Sequence, residues 1–521
     1  MKIVTAEQMR DIDRKAADMG ISTADLMENA GRAVAEAIRD FVDYIAGKRV
    51  LVLAGSGNNG GDALVAARYL HEWGADVNVF LLTDRSSEDK NLELLKQYAI
   101  PVIQLEHGPE FLKLKELLSN AEIVIDGILG TGRARPLEGD FKEVLSRVNQ
   151  EKLKRPELII VAVDIPTGLN ADTGAVDHSC PLADLTVTLG LPKPGLYNFP
   201  GADHAGKIVI ADIGIPKELS RPIQTELITE EWARSALPAR PKSANKGTFG
   251  RILVVAGSEN YIGAAYLACM GAARVGAGIV TLSIARSLQP TLATKLTEIV
   301  YAPLPESEKG ALSEKASSAI LRILPYCKVM LMGCGIGQHV RTKDFVKSVI
   351  TGLPQKPPLL VLDADALNIL PEITDWWKKL PGATILTPHP GEMARLTGNT
   401  IEEVQANRLD ICRRAAMDWG KVVVLKGAFT VIAEPRGHAR ISSAANAGLA
   451  TAGTGDVLAG AIAGLAGQGI PLFDAATLGV YLHATAADIA YSEIGDAGML
   501  ASDLLPLLPR VIRGLKIYSG R

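Results

Sequence analysis

Apolar residues in this chain come in short, β-branched runs, each followed by a Gly-rich or acidic turn and then by a stretch with helical spacing. In the first half the runs are RVLVLA (49–54), DVNVFLL (76–82), EIVIDGIL (122–129), ELIIVAVDIP (157–166), ADLTVTLG (183–190) and KIVIADIGIP (207–216). Near-continuous apolarity over that length suits strands covered on both faces. Alternation with helices implies a parallel sheet, whose ligands gather at the C-terminal strand ends. Residues 217–247 interrupt the rhythm with prolines and clustered charge and show no buried-strand pattern, so the domain junction is expected there. The alternation resumes with RILVVAG (251–257), GIVTLSIA (278–285), KVMLMGCGIG (328–337), PLLVLDADALN (358–368), ATILTPHPGE (383–392) and KVVVLKGAFTVIAEP (421–435). The pattern predicts two doubly wound, three-layer α/β domains. A length of 521 residues agrees, because chains of that size divide into more than one core.

Composition narrows the partners. With 55 basic and 58 acidic residues the formal net charge is −3, which speaks against a protein built to coat nucleic acid or an anionic membrane. Small-molecule substrates are expected instead. Cys180, Cys269, Cys327, Cys334 and Cys412 are odd in number and form no CxxC pair, so they are read as reduced core thiols. The N-terminal stretch MKIVTAEQMRDIDRKAADMG is charged throughout, without the apolar core of a signal peptide, and a cytoplasmic location is expected. The run VLAGAIAGLAGQGIPLF is rich in small residues and broken by Gln468, which favours a buried helix over a membrane span. A homo-oligomer is expected, with the helix at residues 5–18 as a candidate contact between subunits and packing within the chain as the alternative.

Candidate chemistry clusters at strand ends. After the first run comes GSGNNGGD, in which Gly55, Gly57 and Gly60 spell G-x-G-x-x-G before a helix. The pattern suits a pyrophosphate on a helix N-terminus, and a tight structural turn uses the same glycines. Asn58, Asn59 and Asp62 add neutral oxygens and a carboxylate, which are better ligands for a hard cation than for phosphate. Asp126 in VIDGILGTGRARP, and Asp164 with Thr167 in VDIPTGLNADTG, bring matching groups to the same sheet edge. Any one of these aspartates could serve as a helix cap; three at one edge point to a site. Gly130 and Gly132 allow backbone amides to approach an anionic ligand. In the second half, AGTGDVLAG places Gly453, Thr454 and Gly455 in a turn leading into an apolar helix, with Asp456 beside them. Free amides and the helix dipole suit a transferring phosphoryl group, and Asp456 can take the proton of the acceptor hydroxyl.

Taken in order, LMENAG (26–31), GSGNNGGD, DGILGTG and VDIPTGLNADTG resemble the N-terminal epimerase domain of the bifunctional NAD(P)H-hydrate repair enzymes. The second half carries KGTFGRILVVAGSENYIGAA (246–265), GCGIG (333–337), LDADALN (362–368), TPHPGEMARL (387–396), VVLKGAFTVI (423–432), GTGD and HATAADIAYSEIGDAGMLASDLLPLLP (483–509). Across most of residues 236–515 it is similar to the ADP- or ATP-dependent dehydratase domain of the same family. The resemblance implies a Rossmann-like epimerase domain at residues 1–222, a linker at 223–235 and a ribokinase-like dehydratase domain at 236–521.

Carried over position by position, the resemblance implies that Asn58, Asn59, Gly60, Gly61 and Asp62, with Gly130, Thr131, Gly132, Arg133, Ala134, Arg135 and Pro136, hold the hydrated dinucleotide. Asn59, Asp126 and Thr167 would contribute to a potassium site, and Asp164 would contact the reacting ring as general acid or base. Ala264, Gly335, His389 and Asp456 would line the hydrate pocket of the second domain. Lys426, Gly427, Ala428, Phe429, Thr430 and Gly455 would hold the adenine nucleotide, ADP or ATP, with Gly453 and Thr454 completing the anion turn. Magnesium would accompany that nucleotide, and Asp363 and Asp365 are candidates to assist it through water, capping being their alternative. For His389, between two prolines, the alternative is a residue that braces a turn. The chain departs from the family pattern at Ala63, Ala447 and Ala452, none of which removes a functional group. A ribokinase-type small-molecule kinase with an accessory dinucleotide-binding domain is the competing reading, separated by its product.

Overall fold

Six apolar runs of the first half become six strands, and one further strand joins them. They are β1 (Arg49–Ala54), β2 (Asp76–Leu81), β3 (Val102–Gln104), β4 (Ile123–Gly127), β5 (Ile159–Val163), β6 (Leu185–Leu189) and β7 (Lys207–Ala211). All pair in parallel in the order β3-β2-β1-β4-β5-β6-β7. β3 was not foreseen, because three half-buried residues at a sheet edge leave no continuous apolar run. The computed structural model describes residues 1–86, 88–105, 110–132, 136–308 and 310–517. The chain divides into two compact units, Met1–Ile223 and Gln224–Arg521.

Alternation along β1 produces the three layers. Val50 and Val52 enter one core with Val34, Ile38 and Leu64 from the helices Thr23–Val42 and Asn58–Glu72. Leu51 and Leu53 enter the other, with Leu114, Leu118, Val144 and Val148 from the helices Glu110–Asn120 and Gly139–Lys154. Strand order reverses between β1 and β4, so Ala54 and Gly127, paired in register, mark the switch point where such sheets open a ligand crevice. The first helix, Ala6–Asp18, begins with a Thr5–Gln8 capping box and packs Met9 and Ile12 against Leu191, Ile215 and Leu219. Arg10 Nη1 donates to Thr131 O at 3.2 Å, so this helix makes the contact within the chain that was its alternative reading.

The second unit contains β8 (Thr225–Leu227), β9 (Arg251–Val255), β10 (Ile279–Ser283), β11 (Val300–Tyr301), a ribbon of β12 (Glu306–Glu308) and β13 (Ala311–Leu312), then β14 (Val329–Met332), β15 (Leu359–Leu362), β16 (Thr384–Leu386), β17 (Val422–Leu425), β18 (Val431–Ala433) and β19 (Ala439–Ile441). Its main sheet runs β11-β10-β9-β14-β15-β16-β17-β18-β19-β8 and reverses order at β9/β14. Two expectations change here. The run 421–435 is not one strand but the antiparallel pair β17/β18, folded back at Lys426–Thr430. The segment 217–247 does hold a largely buried strand: β8 pairs with β19, so part of the expected linker at 223–235 belongs to the second sheet. A three-residue edge strand set among charges leaves too short a pattern to read.

The apolar run after Gly453 is the buried helix Thr454–Gly467. No helix among the described residues is long and apolar enough to cross a membrane. The five cysteines are free thiols. Helix Thr454–Gly467 lies backbone to backbone on the helix Ile262–Arg274: a Cβ on Gly460 would collide with the Ala268 carbonyl oxygen, and one on Gly271 would lie 2.5 Å from Val457 O. The Gly460→Val variant is expected to lose roughly 1–3 kcal/mol or more of stability in the second unit, the cost of overpacking a filled contact. Urea unfolding would measure the loss, and an unchanged midpoint would refute this account of the helix pair.

Candidate functional site

At the switch point of the first sheet, the turn after β1 and the turn after β4 touch through their backbones. A Cβ on Gly55 would collide with Ile128 O, and one on Gly60 with Gly55 O. The helix Asn58–Glu72 starts from Gly57 with extended backbone and no side-chain cap, so its first amides are available to an anion. Arg85, from the loop after β2, donates Nη1 to the carbonyls of Gly55 and Gly57 and pairs through Nε with Asp89 at 2.8 Å. Behind this turn the LMENAG helix is packed flush, with Gly61 against Met27 and Gly31 against Val65. The Ala63 methyl lies beside Gly127, where an added Cβ would collide with it.

Asp126 ends β4 fully buried. Its Oδ2 accepts from Thr167 N at 2.8 Å and its Oδ1 from Thr167 Oγ1 at 2.6 Å, while Thr167 Oγ1 accepts from Leu129 N at 3.0 Å. Burial raises the Asp126 carboxyl above its ordinary range against these hydrogen bonds. Asn59 abuts Gly130, where a Cβ would lie 3.2 Å from its Oδ1, and its buried Nδ2 has no hydrogen-bond partner among the described residues. Asn59, Asp126 and Thr167 are therefore gathered around one turn as an all-oxygen donor set, the chemistry a hard cation requires. Gly132 N donates to Gly130 O and Pro136 is exposed; Arg133, Ala134 and Arg135 lie outside the described residues.

Asp164 follows β5 at φ +65°, a conformation strained for a residue with a side chain. It forms an ion pair with Lys193, and its Oδ1 accepts from Leu189 N at 3.1 Å and Thr188 Oγ1 at 3.3 Å. Lys193, 1% exposed, also donates to Leu189 O at 3.1 Å. Sequence reasoning missed Lys193; its one signal was a lysine between prolines, LPKPG, just past the end of β6. Asp62 is buried nearby. Burial, then the charges of Asp164 and Asp13, push its carboxyl well above the ordinary range, against the pull of Lys193 and Arg85.

In the second unit the ends of β14, β15, β16 and β17 converge on the N-terminus of helix Thr454–Gly467. Gly453 caps that helix at φ +92°, and a Cβ there would lie 2.5 Å from Leu267 Cδ1. Thr454 Oγ1 donates to Leu449 O at 2.9 Å, and Thr454 O lies 2.9 Å from His483 Nε2, which must carry the hydrogen. Burial lowers the His483 pKa to about 4, so the ring braces the turn uncharged. Asp456 is the third residue of the helix and not its cap. Single ligand atoms of Cys334, Asp363 and Asp456 lie within 4.8 Å of one another. Burial and then the Asp363 charge raise the Asp456 pKa to about 6.

Asp363 is 1% exposed and committed: Lys426 Nζ lies 2.6 Å from its Oδ1, and Thr387 Oγ1 donates to the same atom at 2.7 Å. Lys426 also stands 3.9 Å from Glu392, whose carboxyl burial raises to about 7 against the lysine's charge. A Cβ on Gly455 would lie 3.5 Å from Lys426 Nζ, so the expected nucleotide lysine and the anion turn meet. Beneath the Lys426–Thr430 turn, buried Arg408 donates to the carbonyls of Leu425 and Lys426 at 3.0 and 3.1 Å. Ala264 and Gly335 are also together, a Cβ on the latter lying 2.7 Å from the former's.

His389 does what its alternative reading described. It caps the helix Pro390–Thr397, with Nδ1 accepting from Gly391 N at 3.0 Å, and Glu392 Oε2 accepts from His389 N at 2.8 Å. Burial and the Lys426 charge lower its pKa, which keeps the ring neutral with Nε2 3.3 Å from Glu392. Asp365 likewise serves a turn, accepting from Gly337 N at 2.9 Å. Glu392, Arg408 and His483 were not singled out in the sequence, although Glu392 and His483 sit inside quoted motifs. Together the groups offer a partly protonated carboxyl, a paired ammonium and an open helix N-terminus, the equipment to deprotonate a hydroxyl while phosphoryl oxygens meet backbone amides.

Comparison with known proteins covers both halves. A family model described as NAD(P)H-hydrate dehydratase matches residues 252–510, and one described as the YjeF-related protein N-terminus matches residues 23–195. The bifunctional NAD(P)H-hydrate repair enzyme of Moorella thermoacetica is 43% identical, covering 99% of this chain and 97% of its own. That of Escherichia coli is 31% identical over 97% of this chain and 93% of its own. Among solved structures, an ADP/ATP-dependent NAD(P)H-hydrate dehydratase from Bacillus subtilis, co-crystallised with ATP and Mg2+, is 34% identical, with a TM-score of 0.48 over 56% of this chain and 98% of that one.

The raised pKa of Asp456 has a consequence for stability. Its folded value of about 6 exceeds the ordinary 3.8, so its contribution to folding is fully present below pH 3.8 and is lost as pH rises toward 6. Asp456→Asn is therefore expected to raise the thermal midpoint of the second unit at pH 7 and to leave it unmoved at the acid end of that window. A midpoint at pH 7 equal to or below that of the unsubstituted protein would contradict the assignment.

Proposed function

Because the chain belongs to the bifunctional NAD(P)H-hydrate repair enzyme family, we propose that it restores hydrated NADH and NADPH through an epimerase at residues 1–222 and a dehydratase at residues 236–521. The observation that carries the reading is Asp456, enclosed beside the Lys426–Asp363 pair at the open N-terminus of helix Thr454–Gly467. The relatives match along both halves, which disfavours the kinase with an accessory domain.

In the dehydratase, Asp456 takes the proton of the hydrate's hydroxyl as that oxygen attacks the terminal phosphorus of ADP. The amides of the Gly453–Gly455 turn receive the phosphoryl oxygens, and AMP leaves. Phosphorylation turns a poor leaving group into a good one. The ring nitrogen's lone pair then expels phosphate, and loss of a proton from the neighbouring carbon restores the dihydronicotinamide. Lys426 and the turn to Thr430 hold the nucleotide, while Ala264, Gly335 and His389 flank the hydrate. Magnesium would arrive with the nucleotide and offset its charge. Asp363 is engaged by Lys426 and Thr387 through Oδ1, and Asp365 accepts from Gly337 N, so a part for either in holding the ion runs most simply through water.

In the epimerase, the turns at 58–62 and 130–136 hold the dinucleotide and Asp164 works at the carbon bearing the hydroxyl. Because that carbon is bonded to the ring nitrogen, the nitrogen lone pair assists C–O cleavage and re-addition from the other face. Asn59, Asp126 and Thr167 suit potassium, which would order the two turns and place a positive charge beside the dinucleotide.

Mixing the full chain with epimeric NADH hydrate, Mg2+, K+ and either ADP or ATP is expected to recover all the reduced-nicotinamide absorbance with at least one nucleotide, which names the donor. Asp456→Asn abolishes the recovery. Asp164→Asn stops it at the S fraction once spontaneous epimerisation is subtracted. No recovery with either nucleotide would overturn the reading.

A further inference from the structure

The cluster around buried Lys193 contains more titratable groups than one acid or base requires. Lys193 lies past the end of β6, Asp164 past β5, Asp62 in the first turn of helix Asn58–Glu72 and Asp13 on the first helix. Resting on the epimerase reading above, we propose that Asp62 and Asp164 divide the epimerisation between them. Asp62 delivers a proton to the departing hydroxyl, and Asp164, positioned by Lys193, removes one from the incoming water.

The surroundings of the two carboxyls differ in kind. Asp164 accepts hydrogen bonds from Lys193, Leu189 N and Thr188 Oγ1, all of which stabilise a carboxylate. The Lys193 ammonium is thereby spent on Asp164. Asp62, 7% exposed, takes part in no ion pair among the described residues, and its helix is sealed against Met27 through Gly61. The charged groups that face it are Asp164, Asp13, Lys193 and Arg85, and Arg85 is already paired with Asp89. The carboxyls outnumber the free positive charge, so the buried one without an ion-pair partner is the one in which the proton is favoured, in line with its raised pKa. One carboxyl held by an ammonium and two hydrogen bonds, beside a second that has no ion-pair partner, is the arrangement of a base and an acid in one site. Asn59 supplies an independent sign of a ligand, since its buried Nδ2 has no partner among the described residues, one helical turn before Asp62.

The step balances with water as the only co-reactant. The Asp62 proton goes to the hydroxyl oxygen, the C–O bond breaks with its electron pair on that oxygen, and the nitrogen lone pair forms a C=N bond. Water then adds to the same carbon from the opposite face, its proton passes to Asp164, and the C=N pair returns to nitrogen. The opposite epimer is turned over by the swapped protonation state.

The test uses the full chain, with epimers separated chromatographically in the absence of nucleotide and S-hydrate dehydration as the internal control for intact protein. Asp62→Asn is expected to lower epimerase kcat about 10²-fold or more with little change in KM, the scale of a lost proton donor. Asp62→Glu restores part of the rate. Lys193→Met removes the charge that opposes proton retention by Asp62, so the alkaline limb of the epimerase pH profile moves to higher pH. Separate thermal transitions establish that each variant's first unit is folded, and Asp62→Glu decides the matter if Asp62→Asn is not. Asp62→Asn raising KM at unchanged kcat would make Asp62 a binding group and overturn the proposal, as would a rate lowered equally at every pH in Lys193→Met. If the unsubstituted protein leaves both epimers unchanged, the epimerase reading itself has failed. If it interconverts them and Asp62→Asn does so equally well, only the division of labour has.

Discussion

Both sites depend on one constraint: a charge enclosed at the C-terminal edge of a parallel sheet must be met by an opposite charge. In the first unit Lys193 meets Asp164, and in the second Lys426 meets Asp363. Leaving either partner alone would cost several kcal/mol, since a buried ion without its counterion has exchanged water for nothing. Each pair has a second consequence. With the lysine's charge committed, the neighbouring carboxyls (Asp62 and Asp13 in one unit, Asp456 and Glu392 in the other) are desolvated without full compensation, and all four are pushed toward the protonated form. The folding requirement and the supply of acids and bases with raised pKa are thus one arrangement.

Backbone contact supplies the precision these groups need. Gly55 and Gly60 lock the turn after β1 onto the turn after β4, and Gly460 and Gly271 lay the Asp456 helix directly on its neighbour. In both units side chains then hold the turns from below. Arg85 takes the carbonyls of the first turn, Arg408 those of the Lys426 turn, and neutral His483 the carbonyl of Thr454. Helix N-termini left open by such bracing present amides to an anion with little left to reorganise.

Most strands were legible because a strand buried on both faces must be apolar along its whole length, and that pattern survives in one dimension. The exceptions were strands of two or three residues: β3, β8, β11, β19 and the β12/β13 ribbon are short enough that their neighbours, rather than their composition, make them strands, and β8 lay hidden in a stretch that reads as a charged linker. The run 421–435 failed differently: its apolarity was correctly read, but the fold-back at the Lys426 turn becomes visible only when β17 and β18 pair.

Among site residues, those in glycine-rich or acidic motifs at strand ends were legible, because the chemistry of anion and cation binding demands those residue types close together in the chain. Asp126, Asp164 and Asp456 were found in this way, and Lys426 through the family resemblance. Lys193, Arg85, Arg408 and His483 were not, because nothing local marks a residue whose partner comes from a distant segment. His389, marked by its motif, has a capping role through Nδ1 that only the helix it starts makes visible. The sequence by itself determined the two α/β domains, the turns and the kind of chemistry, all of which follow from local pattern and residue type. Only the tertiary structure decided which carboxyls are paired and which are pushed toward protonation, because that depends on burial and on charges brought together across the sheet.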